Sequence, residues 1–149
     1  MTRTFFADTS FLVAFYNVRD DNHKTARNFI AELIRKKETV RFLITDYIFD
    51  ETLTTILNRG GKQLAIEVAR KIYTSPTISI ATINPEIFSK AYDLFVGYAD
   101  QEWSFTDCCS IAFLKEYLHS PAIHVAAFDN HFVTAGFQIV PLAYNTLPS

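Results

Sequence analysis

Cysteine is scarce in this chain, with two in 149 residues, and the two are neighbours, Cys108 and Cys109. Adjacent cysteines supply neither a disulfide framework nor the spaced pairs of a zinc site. They read instead as small residues of a partly buried helix. Glycine is nearly as rare, with four residues. There is no glycine-rich phosphate loop and no Gly-x-Ser-x-Gly elbow, which removes nucleotide cradles and serine hydrolases of that type. No apolar run approaches a membrane span, and Asp8 interrupts the first one before it could form a signal-peptide core. A cytoplasmic protein with no membrane role is the expectation. Net charge is small, formally -2, so no global field argues for nucleic acid and any such contact must come from local basic patches. The four histidines, His23, His119, His124 and His131, are scattered. His23 and His119 suit helix ends, and only His131, close behind Asp129, is a minor candidate for an acidic site.

What is present is a globular composition, 49% hydrophobic and 20% charged, without repeats, linkers or low-complexity stretches. Its length suits one domain, residues 1–149. The opening run Thr4-Phe5-Phe6-Ala7 stops at Asp8-Thr9-Ser10 before apolar residues resume, which predicts a buried central strand passing into a helix. Residues 22–37 carry Ala26, Phe29, Ile30, Leu33 and Ile34 at helical spacing, with Asp20-Asp21-Asn22 as cap candidates and Arg35-Lys36-Lys37 closing the helix. A strand over 40–45 follows. Asp46 then caps a helix bearing Ile48, Phe49, Leu53, Ile56 and Leu57, with Glu51 in its first turns and Gly60-Gly61 at its end. Another helix carries Leu64, Ala65, Val68, Ala69 and Ile72.

Residues 77–83 alternate as a strand, and Asn84-Pro85 starts a helix with Phe88, Ala91, Tyr92 and Phe95 on its apolar face. Ser104 caps a further helix, with Asp107 at its third position and apolar residues through Leu118. A buried-type strand over 123–128 ends at Asp129, and 137–140 forms an edge strand closed by Pro141. This order predicts an α/β fold, a three-layer α/β/α sandwich with a mainly parallel central sheet.

Two apolar strands thus end in acids, Asp8 and Asp129, while Glu51 and Asp107 lie near helix starts. Each acid has a structural role available: capping for Asp8, helix-dipole interaction for Glu51 and Asp107, a turn for Asp129. Their recurrence at one sheet edge, where ligands of open parallel sheets gather, argues for a shared site. Carboxylates about 5 Å apart repel by roughly 3 kcal/mol at an effective dielectric near 20. Four together call for protons or a cation, and an all-oxygen set suits Mg²⁺ or Mn²⁺. The matching chemistry is metal-assisted phosphodiester hydrolysis. Thr9, Ser10, Ser104 and Thr106 could orient carboxylates or waters, or cap helices.

At Asp8-Thr9-Ser10, Glu51 and Trp103-Ser104-Phe105-Thr106-Asp107-Cys108-Cys109-Ser110, and at the strand running into Phe128-Asp129, the sequence resembles the PIN domains, in particular VapC-type toxins of toxin-antitoxin pairs. The resemblance covers nearly the whole chain. It implies Mg²⁺- or Mn²⁺-dependent endoribonuclease activity on structured RNA such as tRNA or rRNA. It matches Asp8, Glu51, Asp107 and Asp129 to the acidic quartet, with Asp129 at its most variable position. It further implies a homodimer and a cognate antitoxin whose tail lies near the acids. Phe15, Tyr16, Tyr47 and Phe49 are candidates for an aromatic groove, with core packing as the alternative. Gln101 stands where relatives often carry a lysine. Arg59-Gly60-Gly61-Lys62 and Arg70-Lys71 are candidate phosphate contacts, or solvated charges. Two other readings share the fold: a non-catalytic interaction module, which would not bind metal, and a housekeeping nuclease, which would lack a small antitoxin gene beside its own.

Overall fold

The computed structural model describes residues 1–117 and 123–141. Five strands, β1 (Thr2–Ala7), β2 (Thr39–Thr45), β3 (Ile78–Ala81), β4 (His124–Ala126) and β5 (Ile139–Val140), form one sheet in the order β3-β2-β1-β4-β5. Every pairing is parallel, so all five carboxyl ends lie on one edge. Phe5 and Phe6 point to opposite faces, as successive strand residues must, and seed two separate cores. Phe6, Ile44 and Val125 pack with the helices of one layer, whereas Phe5 and Ala126 pack with Phe11, Ala26 and Leu33 of the other. The expected three-layer α/β/α sandwich is what forms.

The helices are α1 (Thr9–Tyr16), α2 (His23–Arg35), α3 (Asp46–Gly60), α4 (Lys62–Tyr73), α5 (Pro85–Gly97), α6 (Phe105–Tyr117) and α7 (His131–Thr134). Local chemistry sets most of their ends. Asn84 Oδ1 accepts from the Ile87 N–H at 2.8 Å, with Pro85 as the first helical residue. Gly61, at φ +89°, separates α3 from α4 in a conformation that side chains resist. Two expected caps differ. Thr45, rather than Asp46, caps α3 through the Ile48 N–H at 3.2 Å. Asp46 instead accepts from the Ile83 N–H at 3.0 Å and ties α3 to the strand-end loop after β3. The Asp20-Asp21-Asn22 stretch makes a turn, with Asp20 Oδ1 accepting from the Asn22 N–H, and no side chain caps α2.

The last two strands are shorter than the apolar runs suggest, and α7, which has no clear apolar periodicity, lies between them. The apolar stripe of α5 is also only partly covered. Ile87 and Ala91 are buried, but Phe88, Tyr92 and Phe95 stay about half exposed, and so do Ile34 of α2 and Leu57 of α3. Leu118 and His119, expected at the end of α6, lie outside the described residues.

Candidate active site

The strand order reverses direction at β1, whose neighbours are β2 on one side and β4 on the other. A crevice is expected at such a switch point, beyond the carboxyl ends of the strands. A cleft of about 420 Å³ lies there and brings together Asp8, Glu51, Asp107 and Asp129. All four acids singled out from the sequence therefore face one space.

Asp8 leaves β1 with its N–H donating to the Ala126 carbonyl at 2.9 Å, which locks it beside β4. Its side chain is 2% exposed. Oδ2 caps α1, accepting from the Ser10 N–H at 3.1 Å and the Ser10 hydroxyl at 2.7 Å. Oδ1 is buried and has no hydrogen-bond partner among the described residues. Capping and ligation thus divide between the two oxygens of one carboxylate. Ser10 Oγ also accepts from the Phe128 N–H at 3.0 Å, so one hydroxyl couples Asp8 to the loop that carries Asp129.

Asp107 is held by a reciprocal capping pair: the Ser104 hydroxyl accepts from the Asp107 N–H, and Asp107 Oδ2 accepts from the Ser104 N–H, both at 3.0 Å. The same Oδ2 meets His131 Nδ1 at 2.8 Å, and that nitrogen is 3.7 Å from Asp129 Oδ1. Asp129 Oδ1 accepts from the His131 N–H at 3.1 Å, which fixes the turn into α7. Glu51 projects from α3 toward Thr9 and Thr106, whose hydroxyls favour its charged form. Thr9 Oγ1 nevertheless lacks a hydrogen bond of ordinary geometry.

Burial dominates the electrostatics. It raises Asp8, with the Asp129 charge adding to it, from 3.8 to about 8 against the opposing Ser10 hydrogen bonds. Burial likewise raises Glu51, and raises Asp107 against the Ser104 N–H and His131. The acids are spread around the cleft: among the described residues no three acidic, histidine or cysteine side chains close into a ready-made cation cage. Cys108 and Cys109 take no part. Both are fully buried, and burial pushes their thiols up to about 11 and about 12.

The cleft is also lined by residues with little or no signal in the sequence, among them His131, Arg59, Asp20 and Thr55. The proximity of His131 to Asp129 was the only signal for it. Of the groove candidates, Tyr47 and Phe49 pack on the core, while Phe15 and Tyr16 line a separate, largely apolar cleft of about 360 Å³ with Ile30 and Ile34. Lys71 is paired with Glu67 at 3.1 Å, away from the acids.

Comparison with known proteins places this geometry. The family model of the PIN domain matches residues 5–138. The 23S rRNA-specific endonuclease VapC20 of Mycobacterium tuberculosis is 29% identical over 132 residues, covering 89% of this chain and 94% of that protein. The crystal structure of Mycobacterium tuberculosis VapC20, described as a sarcin-ricin loop cleaving toxin, matches with a TM-score of 0.78 at 27% identity, over 91% of this chain and 98% of that one. FitAcB from Neisseria gonorrhoeae matches at a TM-score of 0.57 and 15% identity, over 95% and 97%, and shares the fold.

Proposed function

The chain belongs to the PIN-domain family, and from that premise we propose that it is an endoribonuclease, the toxin of a toxin-antitoxin pair, that hydrolyses RNA phosphodiester bonds with Mg²⁺ or Mn²⁺. The observation that carries the reading is the cleft itself, where a buried carboxylate oxygen of Asp8 has no partner among the described residues and Glu51, Asp107 and Asp129 share the same space. An all-oxygen donor set of this kind suits Mg²⁺ or Mn²⁺. Mg²⁺ commonly keeps several waters and takes only one or two carboxylates directly, which agrees with acids that surround the cleft without closing on a point. Asp8 and Asp107 are the principal ligands in this reading, with Glu51 and Asp129 completing the site.

When bound, such an ion lowers the pKa of a coordinated water and stabilises charge on the phosphate. The chain's own residues supply position. Ser10 holds Asp8 and the Phe128 backbone in one register, and Ser104 holds Asp107 at the start of α6. The Thr9 and Thr106 hydroxyls oppose the burial that raises Glu51. Ribosomal RNA is the first substrate class to test, from the relative's name, with tRNA second. The half-exposed Phe88, Tyr92 and Phe95 of α5 support a homodimer, and the apolar cleft edged by Phe15 and Tyr16 supports an antitoxin contact. No helix among the described residues is long and apolar enough to cross a membrane; an RNA target is in keeping with a cytoplasmic site of action.

Purified protein should cut ribosomal RNA with Mg²⁺ or Mn²⁺ and stop in EDTA. Cleavage at an unchanged rate in EDTA, or by an Asp107→Asn variant, would refute the assignment. Expression with and without the neighbouring gene, followed by sequencing of new RNA ends, reports target and antitoxin together.

His131 carries its own expected outcome. Its ring holds Asp107 Oδ2, and groups that orient metal-binding carboxylates typically matter 10- to 100-fold. His131→Ala should weaken Mn²⁺ binding by about tenfold in calorimetry, and His131→Gln, which keeps an N–H donor, should recover part of the loss. Equal affinities in all three proteins would remove His131 from the site.

A further inference from the structure

Among the described residues lining the acid cleft, Asp8, Asp20, Glu51, Asp107 and Asp129 carry carboxyl groups, and Arg59 is the only permanently charged cation. An RNA strand entering this space is itself a polyanion. The placement of Arg59 therefore decides where a phosphate can be received. Glu51, Thr55 and Arg59 all line the cleft. At a spacing of four they follow one face of α3, and Arg59 stands about 12 Å along the helix axis from Glu51. That offset of about two helical turns sets the Arg59 backbone on the side of the cleft where a phosphate flanking the one at the acids would lie.

The present partner of Arg59 is a weak one. Arg59 Nη1 lies 3.8 Å from Asp20 Oδ2, and the Arg59 side chain is 63% exposed. Charge-assisted hydrogen bonds close to about 2.7–2.9 Å, and arginine meets phosphate through two parallel N–H donors. Exposed ion pairs of the looser kind contribute little. Asp20 meanwhile uses its other oxygen, Oδ1, to hold the turn before α2 through the Asn22 N–H at 2.9 Å. Exchange of Asp20 for a phosphate therefore leaves that turn intact.

We propose that Arg59 is a substrate-contacting residue that binds an RNA phosphate flanking the one at the acids, and that Asp20 occupies the guanidinium until RNA displaces it. The proposal rests on the ribonuclease reading above. Arg59 then gives affinity and register along α3, whereas the acids give chemistry. Asp20 opposes RNA binding, although it lines the same cleft and touches the same arginine.

The test separates these roles by sign. Binding of a fluorescent single-stranded RNA dodecamer is measured by anisotropy in EDTA across a salt series, and cleavage of ribosomal RNA is measured in Mg²⁺. Arg59→Ala should weaken dodecamer binding about tenfold and make the plot of log affinity against log salt shallower by about 0.7. In cleavage it should raise KM more than it lowers kcat. Asp20→Asn, which retains the oxygen that accepts from Asn22, should bind the dodecamer as tightly as wild type or more tightly. An unchanged affinity and salt slope in Arg59→Ala would overturn the proposal, as would a wild-type protein that binds no RNA. Equal weakening by both variants would also overturn it, because a merely structural ion pair loses the same contact from either side. Binding that behaves as expected without cleavage by wild type in either metal would sink the ribonuclease reading and leave the Arg59 contact standing.

Discussion

Asp8→Asn should lower RNA cleavage on the order of a thousandfold, since a Lewis-acidic metal contributes several kcal/mol at the transition state and each 1.36 kcal/mol is a factor of ten. The variant is informative because it separates the two jobs of one side chain. Asparagine keeps a carbonyl oxygen that can accept from the Ser10 N–H and hydroxyl, as Oδ2 does now. It replaces the partnerless Oδ1 with an NH₂ group, which is a donor and cannot ligate a cation. The cap on α1 should survive while metal binding is lost. Circular dichroism and a thermal melt check the first, and calorimetric titration with Mn²⁺ checks the second. If Asp8→Asn binds Mn²⁺ and cleaves like wild type, Asp8 is a helix cap and nothing more.

The second large effect is on stability, and its direction follows from the raised carboxyl groups. Burial and the Asp129 charge lift Asp8 to about 8 in the folded, metal-free chain, from 3.8, the value the unfolded chain keeps. Between those two pH values the folded state holds a proton that the unfolded state has released. The corresponding stability is complete below the lower value and is lost as pH rises through the upper one. Within that window each pH unit costs about 1.4 kcal/mol. The metal-free chain should therefore be about 2 kcal/mol less stable at pH 8 than at pH 6 from this group, or about 5 °C lower in Tm for a domain of this size. Glu51 and Asp107 are raised too and act in the same direction.

A cation that binds only the folded, ionised acids reverses the loss. Mn²⁺ should accordingly raise Tm more at pH 8 than at pH 6. Asp8→Asn should flatten the metal-free pH dependence and reduce the Mn²⁺ effect. A Mn²⁺ shift that is larger at pH 6, or unaltered in the variant, would contradict the placement of Asp8 at the ion.

Both expectations depend on features of very different legibility. The Ser104 to Asp107 spacing marks a helix start, and the structure holds both hydrogen bonds of that capping pair. By contrast, α5 shows how periodicity misleads. Phe88, Tyr92 and Phe95 have helical spacing, and they do lie on one helix, yet about half of each remains exposed. Periodicity reports which residues share a face, and only the neighbouring elements say whether that face is covered.

Apart from α7, strand and helix identity, the parallel sheet and the placement of four acids at one sheet edge were legible in the sequence itself. Short-range physics governs those features: alternation in a pleated strand, i to i+4 recurrence on a helix, caps and glycine ends written within a few residues. Long-range contacts were decided by the tertiary structure. His131 reaches Asp107 across 24 positions, and Ser10 reaches the Phe128 N–H across 118. Arg59 meets Asp20 only because α3 and the turn before α2 border the same cleft. No local pattern records such pairs, because their distances are set by how the layers pack. The division of Asp8 into a capping oxygen and a free one is likewise a tertiary outcome, since Oδ1 is buried without a hydrogen-bond partner among the described residues.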